Sequence, residues 1–148
     1  MLRKGRCPIS ACANRVTTLV VEDDHDNREI LVKLLRHTGL LVDSASTLAE
    51  ALRKLAAAPT VVLLDMNLPD GTGADVLTKI RSDGLPITVG VITGSGELEA
   101  RQSLAALAPD AIFIKPVIAT NLCEWVKSIL ARGGAGAAGE PIIVLPAL

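Results

Sequence analysis

The chain has 148 residues, 49% of them hydrophobic, and a formal net charge of -1, which suits one domain with a single sizeable core. Aromatic residues make up only 1%, so Val, Leu, Ile and Ala must build that core, and no basic stripe marks a nucleic-acid or anionic-membrane surface. Three cysteines are too few for a disulfide framework, none has zinc-like spacing with histidine, and no apolar run reaches the ~18 residues of a membrane span.

Residues 1–15 show no periodicity. Arg3, Lys4 and Arg6 are followed by Pro8, Ser10 and Asn14, which break any apolar signal-peptide core, so this stretch reads as a flexible extension. Thr17 to Val21 is a short β-branched run ending in Glu22-Asp23-Asp24, a first strand with acids at its C-terminal end. Asp26 and Glu29 have capping-box spacing, Ile30, Leu31, Leu34 and Leu35 recur at helical intervals, and Gly39 is the stop. Leu40 to Ala45 is a second strand. Thr47 and Glu50 repeat the box, and Leu48, Ala51, Leu52 and Leu55 give a helix that Pro59 closes.

Val61-Val62-Leu63-Leu64 then leads without polar alternation into Asp65. Such a run suits a strand buried on both faces of a parallel sheet. A turn, Asn67-Leu68-Pro69-Asp70-Gly71, precedes a helix from about Ala74 to Arg81 with Val76, Leu77 and Ile80 inward. Pro86 introduces a fourth strand, Ile87 to Thr93, which runs into Gly94-Ser95-Gly96. An Ala-rich helix spans about 97–107, a fifth strand Ala111 to Lys115, and a last helix about Thr120 to Ala131, with Leu122, Val126, Ile129 and Leu130 inward.

Strand and helix thus alternate five times. That predicts an α/β fold: a (βα)5, doubly wound, flavodoxin-like parallel five-stranded sheet over residues 16–131. Residues 132–148 read as a Gly/Ala-rich linker and an apolar C-terminal tail, which folds back on the surface, mediates association or is extraneous to the fold; the pattern does not choose.

With all strands parallel, their C-terminal ends line one edge, the place where open α/β sheets bind ligands. Glu22 and Asp23 come from the first strand, Asp65 from the third, Thr93 from the fourth and Lys115 from the fifth. Crowded carboxylates repel unless a positive group sits among them, and a divalent cation such as Mg²⁺ with oxygen ligands answers that need. Asn67 offers a carbonyl two residues after Asp65. Thr93 supplies a hydroxyl and Lys115 an ammonium, both suited to phosphoryl oxygens, with Gly94 leaving room. A carboxylate nucleophile, a metal and phosphate-oxygen donors are the parts of covalent phosphoryl transfer.

Val21-Glu22-Asp23, Asp65-Met66-Asn67-Leu68-Pro69 with Gly73, Thr93-Gly94 and Lys115-Pro116, in that order and each at a strand end, resemble the receiver domain of two-component response regulators over about Thr17 to Leu130. The resemblance implies that Asp65 accepts a phosphoryl group from a phosphohistidine of a sensor histidine kinase or His-containing phosphotransfer protein. It implies Mg²⁺ held by Asp23, Asp65 and the Asn67 carbonyl, with Glu22 acting through water. Thr93 and Lys115 would bind phosphoryl oxygens and couple them to loop movement, and the domain would catalyse its own phosphorylation and dephosphorylation without being a dedicated enzyme. Lys115-Pro116 resembles the family's cis peptide. Two registers exist for the acids; spacing to Arg28 favours Glu22 and Asp23, leaving Asp24 to the helix start.

One position departs from the pattern. Three residues before the lysine, where relatives carry Tyr or Phe as a rotamer switch, this chain has Ile112, and Phe113 should face the opposite side of the strand. Phosphorylation chemistry can then survive with an altered readout. Asp24, Asp26 and Asp70 read as turn residues and caps, His25 and His37 as ordinary helix residues, and Trp125 as packing.

The leading expectation is a cytoplasmic, stand-alone receiver, monomeric or homodimeric, that signals by docking to a downstream effector protein or by relay, with no nucleic-acid or membrane partner. Docking would use the surface of the fourth helix, fifth strand and fifth helix. The alternatives are a phosphorylation-independent interaction module, for which Ile112 speaks, and an aspartyl-nucleophile phosphohydrolase of the haloacid dehalogenase kind. The latter wants a second Asp where this chain has Asn67. Ser95 and Asn67 are expected to influence the phosphoryl lifetime.

Overall fold

The computed structural model describes residues 16–94, 106–131 and 142–144. The elements begin with β1 (Thr17–Val21), α1 (His25–His37), β2 (Leu41–Ala45), α2 (Leu48–Lys54, extended by a 3₁₀ turn at Leu55–Ala57) and β3 (Val61–Asp65). They continue through α3 (Gly73–Ser82), β4 (Thr88–Thr93), β5 (Ala111–Ile114), α4 (Ala119–Ala131) and β6 (Ile142–Val144). The predicted helix at 97–107 lies almost wholly outside the described residues, as do Ser95 and residues 1–15.

The sheet order is β2-β1-β3-β4-β5-β6, and every pairing is parallel. The chain steps from β1 to β2 on one side, then crosses to β3 on the other. The switch point therefore lies between the C-terminal ends of β1 and β3, where the crossover loops part and leave a crevice. The doubly wound, flavodoxin-like architecture follows. Among the described residues, no helix is long and apolar enough to cross a membrane.

Successive strand residues point to opposite faces, and the core divides accordingly. Leu19, Val21, Val62, Leu64, Val89, Val91 and Ile112 pack against Ala51 of α2 and Val76, Leu77 and Ile80 of α3. Val20, Leu63, Ile92 and Phe113 pack against Leu31, Val32 and Leu35 of α1 and Leu122, Trp125, Val126 and Ile129 of α4. All of β3 and β4 is buried, which is why their sequences lack polar alternation. Each such Val, Leu or Ile contributes about 1.5–3 kcal/mol relative to exposure. Trp125 is packing, as expected: it meets Phe113 edge to face at 5.4 Å between ring centroids.

Two details differ from the expectations, and a third decides among alternatives left open. The cap of α1 is Asp24, whose carboxylate accepts from the Asn27 N–H at 2.9 Å, and Asp26 lies in the first turn. The helix simply starts earlier than the Asp26/Glu29 spacing suggests. Ile30 and Leu52, members of the apolar patterns that predict α1 and α2, are 62% and 38% exposed; Val32 takes the buried place on α1. The apolar tail also contributes a strand. Of the fates left open for residues 132–148, folding back is the one that residues 142–144 adopt, with Ala111 facing Ile142 and Phe113 facing Val144.

Candidate functional site

Glu22 and Asp65 end up beside each other because β1 and β3 are adjacent and both run into the same rim. Glu22 is 2% exposed and Asp65 1%, whereas Asp23 stands open to solvent. One carboxylate oxygen from each of Glu22, Asp23 and Asp65 lies within 4.8 Å of the others. Asp24 is turned away to its helix cap, so the structure groups the Glu22-Asp23 register with Asp65. From β5, Lys115 reaches over with its Nζ 3.4 Å from Asp65 Oδ2, and the Lys115-Pro116 bond is cis.

Burial, and then the hydrogen-bonding Asp65 carboxylate, push the Glu22 carboxyl up to about 8, against the Asp24 N–H and the Lys115 charge that favour ionisation. Among the described residues, one ammonium thus faces three carboxyl groups. A hard divalent cation bound through oxygen fits this donor set, which Glu22, Asp23 and Asp65 would supply with carbonyl help from the loop.

Two residues support the site without a role assigned from sequence, where Gly73 is only a motif position. Arg28, used there only as a spacing mark, donates from Nη1 to the carbonyls of Glu22 (3.0 Å) and Asp23 (3.4 Å), tying α1 to the acidic rim. Its signal was position: an arginine one turn into the helix after the acids. The second is Gly73, where a Cβ would stand 2.6 Å from the Asp65 carbonyl oxygen. Only a residue without that atom lets the start of α3 lie against the backbone of Asp65.

Asn67 is exposed, and its N–H donates to Asp65 Oδ1 at 3.1 Å. It pairs with Thr72 across a short hairpin, as Leu68 does with Gly71. Thr93 is buried at the end of β4, one residue beyond the position that faces Asp65, and its carbonyl accepts from the Lys115 N–H at 2.8 Å. Ile112 is fully buried against the α2 and α3 side, and Phe113 faces the opposite one, as strand alternation requires. Beside Lys115 a groove of about 520 Å³ opens between Asn27, Ile30, Pro116 and Val117.

Residues 18–127 match the family model of the response regulator receiver domain. The chain belongs to that family. It is 34% identical over 131 residues to the transcriptional regulatory protein PrrA of Mycobacterium leprae, covering 86% of this chain and 56% of the relative. It is 31% identical over 121 residues to the transcriptional regulatory protein CusR of Escherichia coli, covering 79% and 52%. The chain therefore spans about half the length of these relatives. Among solved structures, a CheY-like receiver domain protein from Methanospirillum hungatei superposes with a TM-score of 0.74 at 28% identity, covering 80% of this chain and 96% of that one. A two-component response regulator from Clostridium difficile gives 0.75 at 27%, covering 80% and 98%.

Proposed function

We propose that this receiver takes a phosphoryl group on Asp65 from a phosphohistidine of a sensor histidine kinase or phosphotransfer protein, in the cytoplasm. The observation that carries the reading is the burial of Asp65 at the switch point with Lys115 Nζ at 3.4 Å from its Oδ2. A carboxylate oxygen attacks phosphorus, the phosphorus–nitrogen bond of the donor breaks, and the imidazole leaves with the electron pair. Lys115 and Thr93 would donate to the phosphoryl oxygens. Glu22, Asp23, Asp65 and the Asn67 carbonyl would hold Mg²⁺, which supplies neutralisation of the charge gathered on those oxygens. Loss of the group follows when water attacks phosphorus and the Asp65 carboxylate departs.

Output passes by docking of the receiver to an effector protein or by onward transfer. The relatives carry names of transcriptional regulators, but the near-neutral charge of this chain supports protein rather than nucleic-acid contact for these residues. Action as monomer or homodimer belongs to the same proposal, as does the division into extension, receiver and tail. A small acyl phosphate with Mg²⁺ is expected to add one acid-labile phosphoryl group, seen by intact-mass spectrometry, and Asp65→Asn to abolish it. An unmodified wild type overturns the reading.

The second reading is a phosphorylation-independent interaction module. Its support is Ile112, an aliphatic side chain with 0% exposure where an aromatic switch is expected. It requires that partner binding be equal for wild type and Asp65→Asn. The phosphohydrolase reading finds Asn67 where its acid/base carboxylate would stand.

A further inference from the structure

Asp70 reaches across the rim to another element. It sits at the tip of the short hairpin that follows Asp65, exposed to solvent, and both its oxygens are engaged twenty or so residues away in sequence. Oδ1 accepts from the Leu48 N–H at 2.6 Å and Oδ2 from the Ala49 N–H at 3.0 Å. These are the first two N–H groups of α2, which has its own local cap: Thr47 Oγ1 accepts from the Glu50 N–H at 3.1 Å. The helix start is therefore capped twice, once locally and once from the loop of Asp65. The Leu48 and Ala49 N–H groups hold the Asp70 carboxyl below the usual carboxylate range, so it is ionised wherever the site would work.

A second contact fixes the same spot. A Cβ at Gly71 would run into the Leu48 side chain, so the hairpin tip lies directly on α2. At the hairpin's other end, Asn67 pairs with Thr72 and donates to Asp65 Oδ1 at 3.1 Å, and the Gly73 N–H donates to the Met66 carbonyl at 3.2 Å. Tip and base are joined by two facing residue pairs, Asn67 with Thr72 and Leu68 with Gly71. A tip pinned to α2 leaves the base little freedom to rotate about Asp65.

We infer that Asp70 is a positioning residue for the Asp65 site: by gripping the start of α2 it holds in place the hairpin whose base carries Asn67 against the acceptor carboxylate. The inference rests on Asp65 as phosphoacceptor. Its reach is functional because misplacing a loop by a fraction of an ångström is enough to change the geometry of attack.

The test compares two cap losses on one helix in the full chain. Asp70→Ala removes the long-range cap and Thr47→Ala the local one, and both lower the urea midpoint. Asp70→Ala is expected to slow adduct formation from an acyl phosphate with Mg²⁺ about tenfold, with Asp70→Asn between it and wild type, because one acceptor oxygen remains. Thr47→Ala should stay within about twofold of wild type. Amide exchange across 66–72 should rise in Asp70→Ala and not in Thr47→Ala. Equal slowing in both variants, or none in Asp70→Ala, overturns the inference. A wild type that takes no phosphoryl group overturns the reading of Asp65 instead, and exchange across 66–72 then decides separately whether Asp70 holds the hairpin.

Discussion

Lys115 Nζ and Asp65 Oδ2 lie 3.4 Å apart although 50 residues separate them in the chain. The lysine side chain is 34% exposed and the aspartate 2%, so solvent screens the cation more than the anion it faces. Asp23 adds its charge to the same small volume, and Glu22 does so once it loses its proton through about 8. The pair is thus a partly compensated cluster rather than a stabilising bridge.

Removing one carboxylate from that cluster should stabilise the metal-free protein above about pH 8, where Glu22 is ionised as well. We expect Asp65→Asn to raise stability by about 1–2 kcal/mol in urea denaturation, a gain typical of relieved functional-site repulsion. Lys115→Ala should move it the other way, by about 1 kcal/mol after discounting for exposure. Opposite signs are the requirement; a destabilised Asp65→Asn would mean the carboxylates do not repel.

Glu22 sets a pH dependence. Its carboxyl is raised from 4.5 to about 8 in the folded chain, by burial first and then by Asp65. The folded state binds this proton more tightly than the unfolded state. The resulting stabilisation is complete below about 4.5, falls as pH rises, and is lost through about 8. Glu22→Gln should flatten the melting temperature across that window, and Mg²⁺ should flatten the wild type by favouring the ionised form. Parallel pH profiles for wild type and variant would show that burial of Glu22 is not felt.

Gly73→Ala places a methyl 2.6 Å from the Asp65 carbonyl oxygen. Backbone cannot yield as a flexible side chain does, so a loss of about 1–3 kcal/mol is expected in urea denaturation. Adduct formation at Asp65 should slow as well, since the same atom fixes the acceptor's place. An unaffected midpoint would mean that α3 can shift away without cost.

Ile112→Tyr restores the family's aromatic at a position with 0% exposure. The extra volume should destabilise by about 1–3 kcal/mol unless the ring turns outward. If it does turn outward, amide exchange near β5 should come to depend on phosphorylation more strongly than in wild type. No phosphorylation dependence in either protein would favour the interaction-module reading.

The rim was legible because it depends on strands whose apolar runs name themselves. The unbroken apolar run Val61 to Leu64 suits a buried strand, and the carboxylate that ends this strand falls at the rim. Caps were less legible. Asp24, Asp26 and Glu29 all have cap chemistry within one turn, and only backbone geometry at Asp24 decides which is used. The exposure of Ile30 is not legible from spacing: Leu31, Val32 and Leu35 fill the inner stripe of the helix, and spacing alone does not rank neighbours on its margin. The reach of Asp70 to Leu48 spans loops that sequence cannot bring together.

The short strand at Ile142–Val144 changes what β5 presents to the outside. Ala111, Ile112 and Phe113 face Ile142, Ile143 and Val144 in register, so the main-chain groups of β5 on that flank are already matched within the molecule. A nascent chain released only as far as Ala131 would carry an apolar strand with that row bare, the sort of template on which chains pair with one another. The tail strand moves the edge of the sheet from β5 to the three-residue β6, and a very short edge strand is a poorer template for such pairing.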